Sequence, residues 1–391
     1  MKSTKLFHRG IGIVLSALLC SAAWAQNDAS PPPELSPAQS NRLLETWRGF
    51  MKRAVLPKEG CFTANYPSLE WQEMACVTVP LRPHPPALPP QPNVVGNGVD
   101  YSASVSNVIS AVEGSFDSVS GVTSEYDSGL GSPNTFSLQI NTNLFPTGPL
   151  SICGNSPNNC LGWQQFIYDS APAAGGVNIL TGVAYIQYWM MYYNTQSPGS
   201  CTSARQCPQQ NTCCPGGNCC PDDWCPYTYN PKNVACFKNS QGNGFYPAPF
   251  IAKLQQMSLT AEAKYPGNDT VTFSIGSTMY RIQAADSTLN LAPFWEQAEF
   301  NIFGVANSSQ AIFNPGSTIV VRSSVTNGAG APPTCANRGF TGETNNLSLV
   351  SCAQTGSPPG ISFTESNVPG AGPATRAPET TSSPSVSSGQ K

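Results

Sequence analysis

At 391 residues the chain is longer than one compact domain ordinarily needs. Only 10% of residues are charged and the formal net charge is −3, so no basic field exists for nucleic acid to meet. Residues 1–25 read as a secretory signal: Lys2, Lys5 and Arg9, an apolar run over 11–19, then Ala23-Trp24-Ala25 before Gln26. That run is too short for a membrane span. Leu19 stands before Cys20 where a lipid-anchored leader needs a small residue, so cleavage after Ala25 is expected. No later segment is apolar for long enough to cross a bilayer, and the expectation is a secreted monomer, extracellular or periplasmic. The chain has two histidines. His8 leaves with the leader and His84 stands in a Pro-rich stretch, so the folded body is expected to hold no imidazole. A Ser-His-Asp triad, a Cys-His pair and a His-ligated zinc are thereby excluded, and no metal or cofactor is called for.

Residues 26–99 are rich in Pro and read as an N-terminal segment with propeptide character. Within it, 40–53 has Leu43, Leu44, Trp47 and Met51 on one side of a short helix. Residues 60–76 form either a disulfide-closed appendage or a strand pair of the main domain, and 77–92 are Pro-dense and extended. From Tyr101 the pattern changes to strands and turns. Strands are expected over 105–112, 135–141, 161–168, 183–193, 256–263, 270–275, 279–284, 299–303, 318–325, 347–350 and 361–365, punctuated by Gly, Pro, Asn and Asp. Many short strands with little helix imply an all-β fold: an antiparallel two-sheet β-sandwich spanning 100–367. Residues 368–391 are Ser, Thr, Pro and Gly and read as a loose tail.

Of fifteen cysteines one, Cys20, lies in the leader, and an even set in an exported chain points to disulfides. The expected pairs are Cys61–Cys76, Cys153–Cys160, Cys225–Cys236 and Cys335–Cys352. The segment 201–236 holds the vicinal pairs Cys213-Cys214 and Cys219-Cys220. Its run from Thr212 to Pro221 resembles half a granulin module, so it reads as a cross-linked insert in the sandwich.

Without imidazole, hydrolysis must rest on carboxylates and amides. A Glu can activate water and a Gln amide can donate to a developing oxyanion. Alternation from Ala298 onward puts Glu299 and Asn301 on one strand face, Phe300 and Ile302 on the other. Gln164 shares a face with Phe166 and Tyr168, Gln165 with Trp163 and Ile167, so only one of the two glutamines can face a given Glu.

The run Glu296-Gln297-Ala298-Glu299-Phe300-Asn301-Ile302 resembles the Glu-bearing strand of the eqolisin-type glutamic peptidases, secreted acid endopeptidases with a double-sheet sandwich. In the family's order, Phe136 to Asn141 is similar to a Trp-to-Asp strand, Cys160 to Gln164 to the stretch carrying the catalytic Gln, and Tyr185 to Tyr193 to an aromatic strand. The closing strands at 347–350 and 360–364 resemble the family's last two. The resemblance implies Glu299 as general base and Gln164 as oxyanion donor, with Gln165, Tyr188, Asn141 and Trp163 near a polypeptide substrate. It also departs from the family pattern. Asn141 replaces an Asp, Met191 a Glu and Phe303 a second acid, which thins the carboxylate network. Two functions follow as expectations: a glutamic-type acid endopeptidase, or a non-catalytic sandwich binding glycans or cell surfaces through its aromatic strand.

Overall fold

Alternation sets the architecture. Along β7 (Ser137–Thr142) Leu138 and Ile140 turn to one side, Gln139 and Asn141 to the other; the same holds along β9 (Leu161–Asp169), β10 (Gly182–Asn194) and β17 (Gln297–Phe303). Both faces of these strands are buried, so the protein must cover a polar face as well as an apolar one.

The computed structural model describes residues 35–87, 95–147, 160–170, 181–194, 220, 223–230, 233–305, 307–328 and 331–369. Residues 1–34, most of the Cys-rich segment 201–236 and the residues beyond 369 lie outside the described residues, as do the expectations made for them. Contacts divide the chain into Met1–Arg42 and Leu43–Lys391, and all the strands belong to the second unit.

Strands are numbered in chain order. The first sheet has nine strands in the spatial order β2 (Gln72–Met74), β1 (Gly60–Asn65), β16 (Thr278–Ala285), β15 (Asn268–Ile275), β14 (Met257–Glu262), β5 (Ala111–Ser120), β19 (Thr318–Thr326), β23 (Pro359–Ser366) and β22 (Ser348–Gly356). The second has ten. Its main path is β11 (Cys225–Asn230), β12 (Asn233–Asn239), β10, β9, β7, β17, β4 (Tyr101–Ser104) and β20 (Thr334–Asn337), with β13 (Asn243–Phe245) on β10 and β8 (Phe145–Pro146) on β9. Both sheets are antiparallel and stack as a sandwich. A third sheet, β3 (Val95–Gly96), β21 (Thr344–Asn345), β18 (Gln310–Phe313) and β6 (Glu125–Asp127), holds a parallel pair, β18 with β21, that the sequence reading does not anticipate.

The core lies between the two large sheets. Phe300 enters it from β17 and meets Phe116 of β5 at 5.5 Å between ring centroids. Opposite Phe300 stands Gly114, where any Cβ would overlap the phenyl ring, so the residue there must be glycine. Tyr168 stacks on Phe273 at 3.9 Å, again across the sheets, and Phe166 stacks at 5.6 Å on Trp295 of the loop before β17. Each such buried ring contributes about 1.5–3 kcal/mol relative to exposure.

Most strands fall where alternation places them. The expected 105–112 strand instead runs over Ala111–Ser120. Its Gly, Ser and Asp content reads as a turn, but β14 and β19 both pair with it, and their ladders override that local preference. Residues 60–65 are no detached appendage: β1 pairs with β16 through all six residues, Gly60 to Asn65. Helix α1 (Pro37–Arg53) sets Trp47 and Met51 against Ala64 and Met279.

Cys61–Cys76 and Cys335–Cys352 are bonded as expected. The Cys225–Cys236 expectation is wrong: Cys236 pairs with Cys220. In register Cys225 stands opposite Phe237, which turns Cys225 and Cys236 to opposite faces of the ribbon. Cys160 and Cys225 each belong to a further disulfide. The Cys153 side of the remaining expected pair lies outside the described residues.

Candidate active site

The outer face of the ten-stranded sheet, away from the intersheet core, carries the polar residues. Registers set Glu299 opposite Asn141, Asn141 opposite Gln165, and Gln165 opposite Gln187. Four adjacent strands thus present a row of polar side chains, all buried. The hydrogen bonds along it run one way. Trp189 Nε1 can only donate, and it donates to Gln165 Oε1 at 2.9 Å. That orients the amide, so Gln165 Nε2 donates to Asn141 Oδ1 at 3.1 Å and Asn141 Nδ2 donates to Glu299 Oε2 at 3.1 Å.

Glu299 Oε2 also accepts from the backbone N–H of Phe340 at 2.9 Å and of Thr341 at 3.2 Å. Its Oε1 meets no donor among the described residues and lies under Gly339, where a Cβ would collide with it. Burial pushes the carboxyl up to about 7, and the three donors on Oε2 only moderate the rise. In acid Glu299 is therefore neutral, with Oε1 the oxygen free to carry the proton. Behind it Asp100 is pushed well above the carboxylate range by burial, then by Glu299 and Glu365. Glu365 is raised to about 7 by burial. Asn301 Nδ2 bridges these two carboxyls, 2.9 Å from Asp100 Oδ2 and 3.0 Å from Glu365 Oε2.

The sequence-based dyad of Glu299 and Gln164 does not form. Gln164 faces the intersheet core, where its Nε2 donates to Asp269 Oδ2 of the other sheet at 2.7 Å. One residue of alternation separates it from Gln165, which shares the Glu299 face. Tyr188 is misplaced for the same reason: it turns inward and lines a separate cavity of about 460 Å³ with Glu59, Lys238 and Thr288. Asn141, Gln165 and Trp163 do gather on the Glu299 face. Trp163 and Trp189 are fully buried there, packed with Leu81 and Phe340, and offer no open ring to a sugar.

His84 is the largest departure from the sequence reading. The body does contain an imidazole, and it is fully buried on this face. His84 Nε2 is 3.0 Å from Tyr185 Oη, Nδ1 is 3.1 Å from Gln139 Nε2, and Glu343 Oε1 lies 3.5 Å from Nδ1. Gln139 Oε1 receives Gln165 Nε2 at 3.3 Å, which leaves its Nε2 to donate. Nδ1 of His84 is then the acceptor, and Nε2–H donates to Tyr185. Sequence reasoning passed over His84 because a Pro-rich stretch reads as linker. It also missed Gln139, Gln187 and Glu343; for the first two, the alternation that places Asn141 and Trp189 on this face was a usable signal.

Residues 77–87 lie across the face as a strap. Val79 packs with Ile167 and Tyr185, and Leu81 with the Trp163–Trp189 cluster. Residues 85–87 then pair with 340–342: Gly342 N donates to Pro85 O at 2.7 Å and Ala87 N to Phe340 O at 2.9 Å. Among the described residues no group of His, Cys, Asp and Glu could hold a metal.

No protein-family model matches the chain, and no curated protein matches it. Among solved structures, similarity is found to scytalido-glutamic peptidase with a transition state analog inhibitor, at 10% identity, covering 71% of this chain and 99% of that chain, with a TM-score of 0.27. A likeness of that size is too slight to argue from.

Proposed function

We propose that the outer face of the ten-stranded sheet is a peptide site with a latent hydrolytic centre, Glu299 with Gln165, closed in this state by residues 77–87 and 338–343. One observation carries the reading: the face already holds an extended peptide, its own strap, through contacts aimed at backbone atoms. Closure acts twice. Gly339 blocks Oε1, and burial keeps Glu299 protonated in acid, where a base must be ionised. Displacing 338–343 would hydrate the carboxyl, lower its pKa and free it to take a proton from water. The water oxygen would attack a peptide carbonyl carbon while Gln165 Nε2, released from Asn141, donates to the oxyanion. The proton then passes from Glu299 to the leaving nitrogen as the C–N bond breaks. An exported, oxidising setting fits the disulfides Cys61–Cys76, Cys220–Cys236 and Cys335–Cys352. Opening proceeds by displacing 77–87, not by excising 26–99, because excision would strip β2 and β1, the last two strands at one end of the first sheet.

The test is denatured casein from pH 2 to 7, with the unaltered protein and with Leu81→Asp, which expels the strap from the Trp163–Trp189 face. Acid cleavage is expected, faster in Leu81→Asp and lost in Glu299→Gln. Cleavage by neither protein, or cleavage surviving Glu299→Gln, ends the hydrolytic reading. A second reading, peptide binding without hydrolysis, draws on the three donors committed to Glu299 Oε2 and on the Gln165 amide directed at Asn141. These bonds also suit a scaffold that holds 338–343 in place.

A further inference from the structure

The strap's contacts identify the peptide this face is built to read. Gln187 clamps the backbone from both ends of its amide: Oε1 accepts from His84 N at 2.8 Å, and Nε2 donates to Arg82 O at 2.9 Å. Between these two contacts lies Pro83, whose carbonyl accepts from Asn307 N at 2.9 Å. Pro83, Pro85 and Pro86 bring no backbone N–H, and the face spends no acceptor on those positions. Proline also pre-sets the extended backbone and lowers the ordering cost of binding.

The side chain between the prolines is read chemically. An imidazole offers one donor and one acceptor on opposite sides of a flat ring. The pocket answers Nε2–H with an acceptor, Tyr185 Oη at 3.0 Å, and Nδ1 with a donor, Gln139 Nε2 at 3.1 Å. A Lys or Arg head only donates and would strand Gln139 against another donor. An apolar side chain would take the partner from Tyr185 Oη and leave Gln139 Nε2 with Ser137 Oγ alone, in a fully buried site. Glu343, 3.5 Å from Nδ1, adds an acid that favours the imidazole over an acidic side chain.

We infer that this face carries a recognition site for an imidazole side chain in an extended, proline-flanked peptide, filled here from within by His84. The inference rests on the reading of this face as a peptide site and names its ligand class: a polypeptide with a Pro-His-Pro sequence, able to enter in trans once the strap leaves.

The experiment is replacement of the missing ring. His84→Ala removes the imidazole from the full-length protein. Added imidazole is expected to raise the melting temperature of His84→Ala saturably, to leave the unaltered protein unmoved, and to outdo methylammonium, which only donates. A labelled peptide with the sequence of residues 77–87 should bind His84→Ala, and its counterpart with Ala in place of His should bind about tenfold more weakly. Should His84→Ala not fold, His84→Gly carries the same comparison. No rescue by imidazole, equal rescue by methylammonium, or equal binding of the two peptides overturns the inference. Neither readout involves bond cleavage. Casein left intact would leave this inference standing, and a failed rescue would leave the hydrolytic reading to its own test.

Discussion

Gln164 and Gln165 are adjacent in the chain and inhabit different chemistries. Gln165 belongs to a directed row of hydrogen bonds ending on Glu299, under a strap of the protein's own chain. Gln164 looks into the sandwich, where its amide meets Asp269, a carboxyl that burial and then Asp286 push well above the usual range. The inner face of this sheet is held mainly by ring packing, the outer by a hydrogen-bonded polar row beside the Trp163–Trp189 cluster. A sheet buried on both sides must solve both problems, and a single step in register exchanges one solution for the other.

Three comparisons test that contrast. The inner face should be the more sensitive to lost volume. Phe300→Ala opens a cavity opposite Gly114, where no side chain can move in, and should cost about 3–5 kcal/mol by denaturant unfolding. A loss below about 1 kcal/mol would mean the two sheets are not packed through this ring.

The outer face and its neighbours should respond to pH. Burial raises Glu299 and Glu365 from an ordinary 4.5 to about 7. Because both are raised, the folded state keeps these protons to higher pH than the unfolded chain does. The stability they confer is complete below about 4.5 and is lost as pH climbs to about 7. Each loss is on the order of 3 kcal/mol. Glu125, raised to about 9 by burial, extends the decline further. The protein should therefore be most stable in acid, and Glu365→Gln should remove one increment of the slope. Unfolding free energies that rise between pH 4.5 and 7 would contradict this.

The smallest contrast is between the two glutamines. Gln165→Leu strands Asn141 Oδ1, leaves Trp189 Nε1 with Gln187 Oε1 alone, removes a donor from Gln139 Oε1, and should cost about 2 kcal/mol. Gln164→Leu strands only Asp269 Oδ2 and should cost about 1 kcal/mol. The reverse order in paired melting curves would show that the inner amide is the more important of the two.

Much of the strand pattern was legible because alternation is local. Ser137 to Thr142, Leu161 to Asp169 and Gln297 to Phe303 each declare two faces. The strand at Ala111–Ser120 was hidden because its Gly, Ser and Asp residues suit turns when read alone. The site was half legible. Glu299, Asn141, Gln165 and Trp163 share one face of the sheet as alternation allows, whereas Gln164 and Tyr188 turn to the other and His84 lies within the body, for one reason: each depends on what a distant segment does.

By itself the sequence determined the class of fold, the alternation within each strand, two of the disulfides and the scarcity of imidazole, since these follow from composition and from near neighbours. Only the tertiary structure decided which face of each strand meets the other sheet, that Cys236 pairs with Cys220, and that a Pro-rich stretch returns across the sheet to bury His84 beside Tyr185 and Gln139. Those outcomes depend on registers between strands far apart in the chain. A period of two defines a pair of faces without saying which one is covered, or by what.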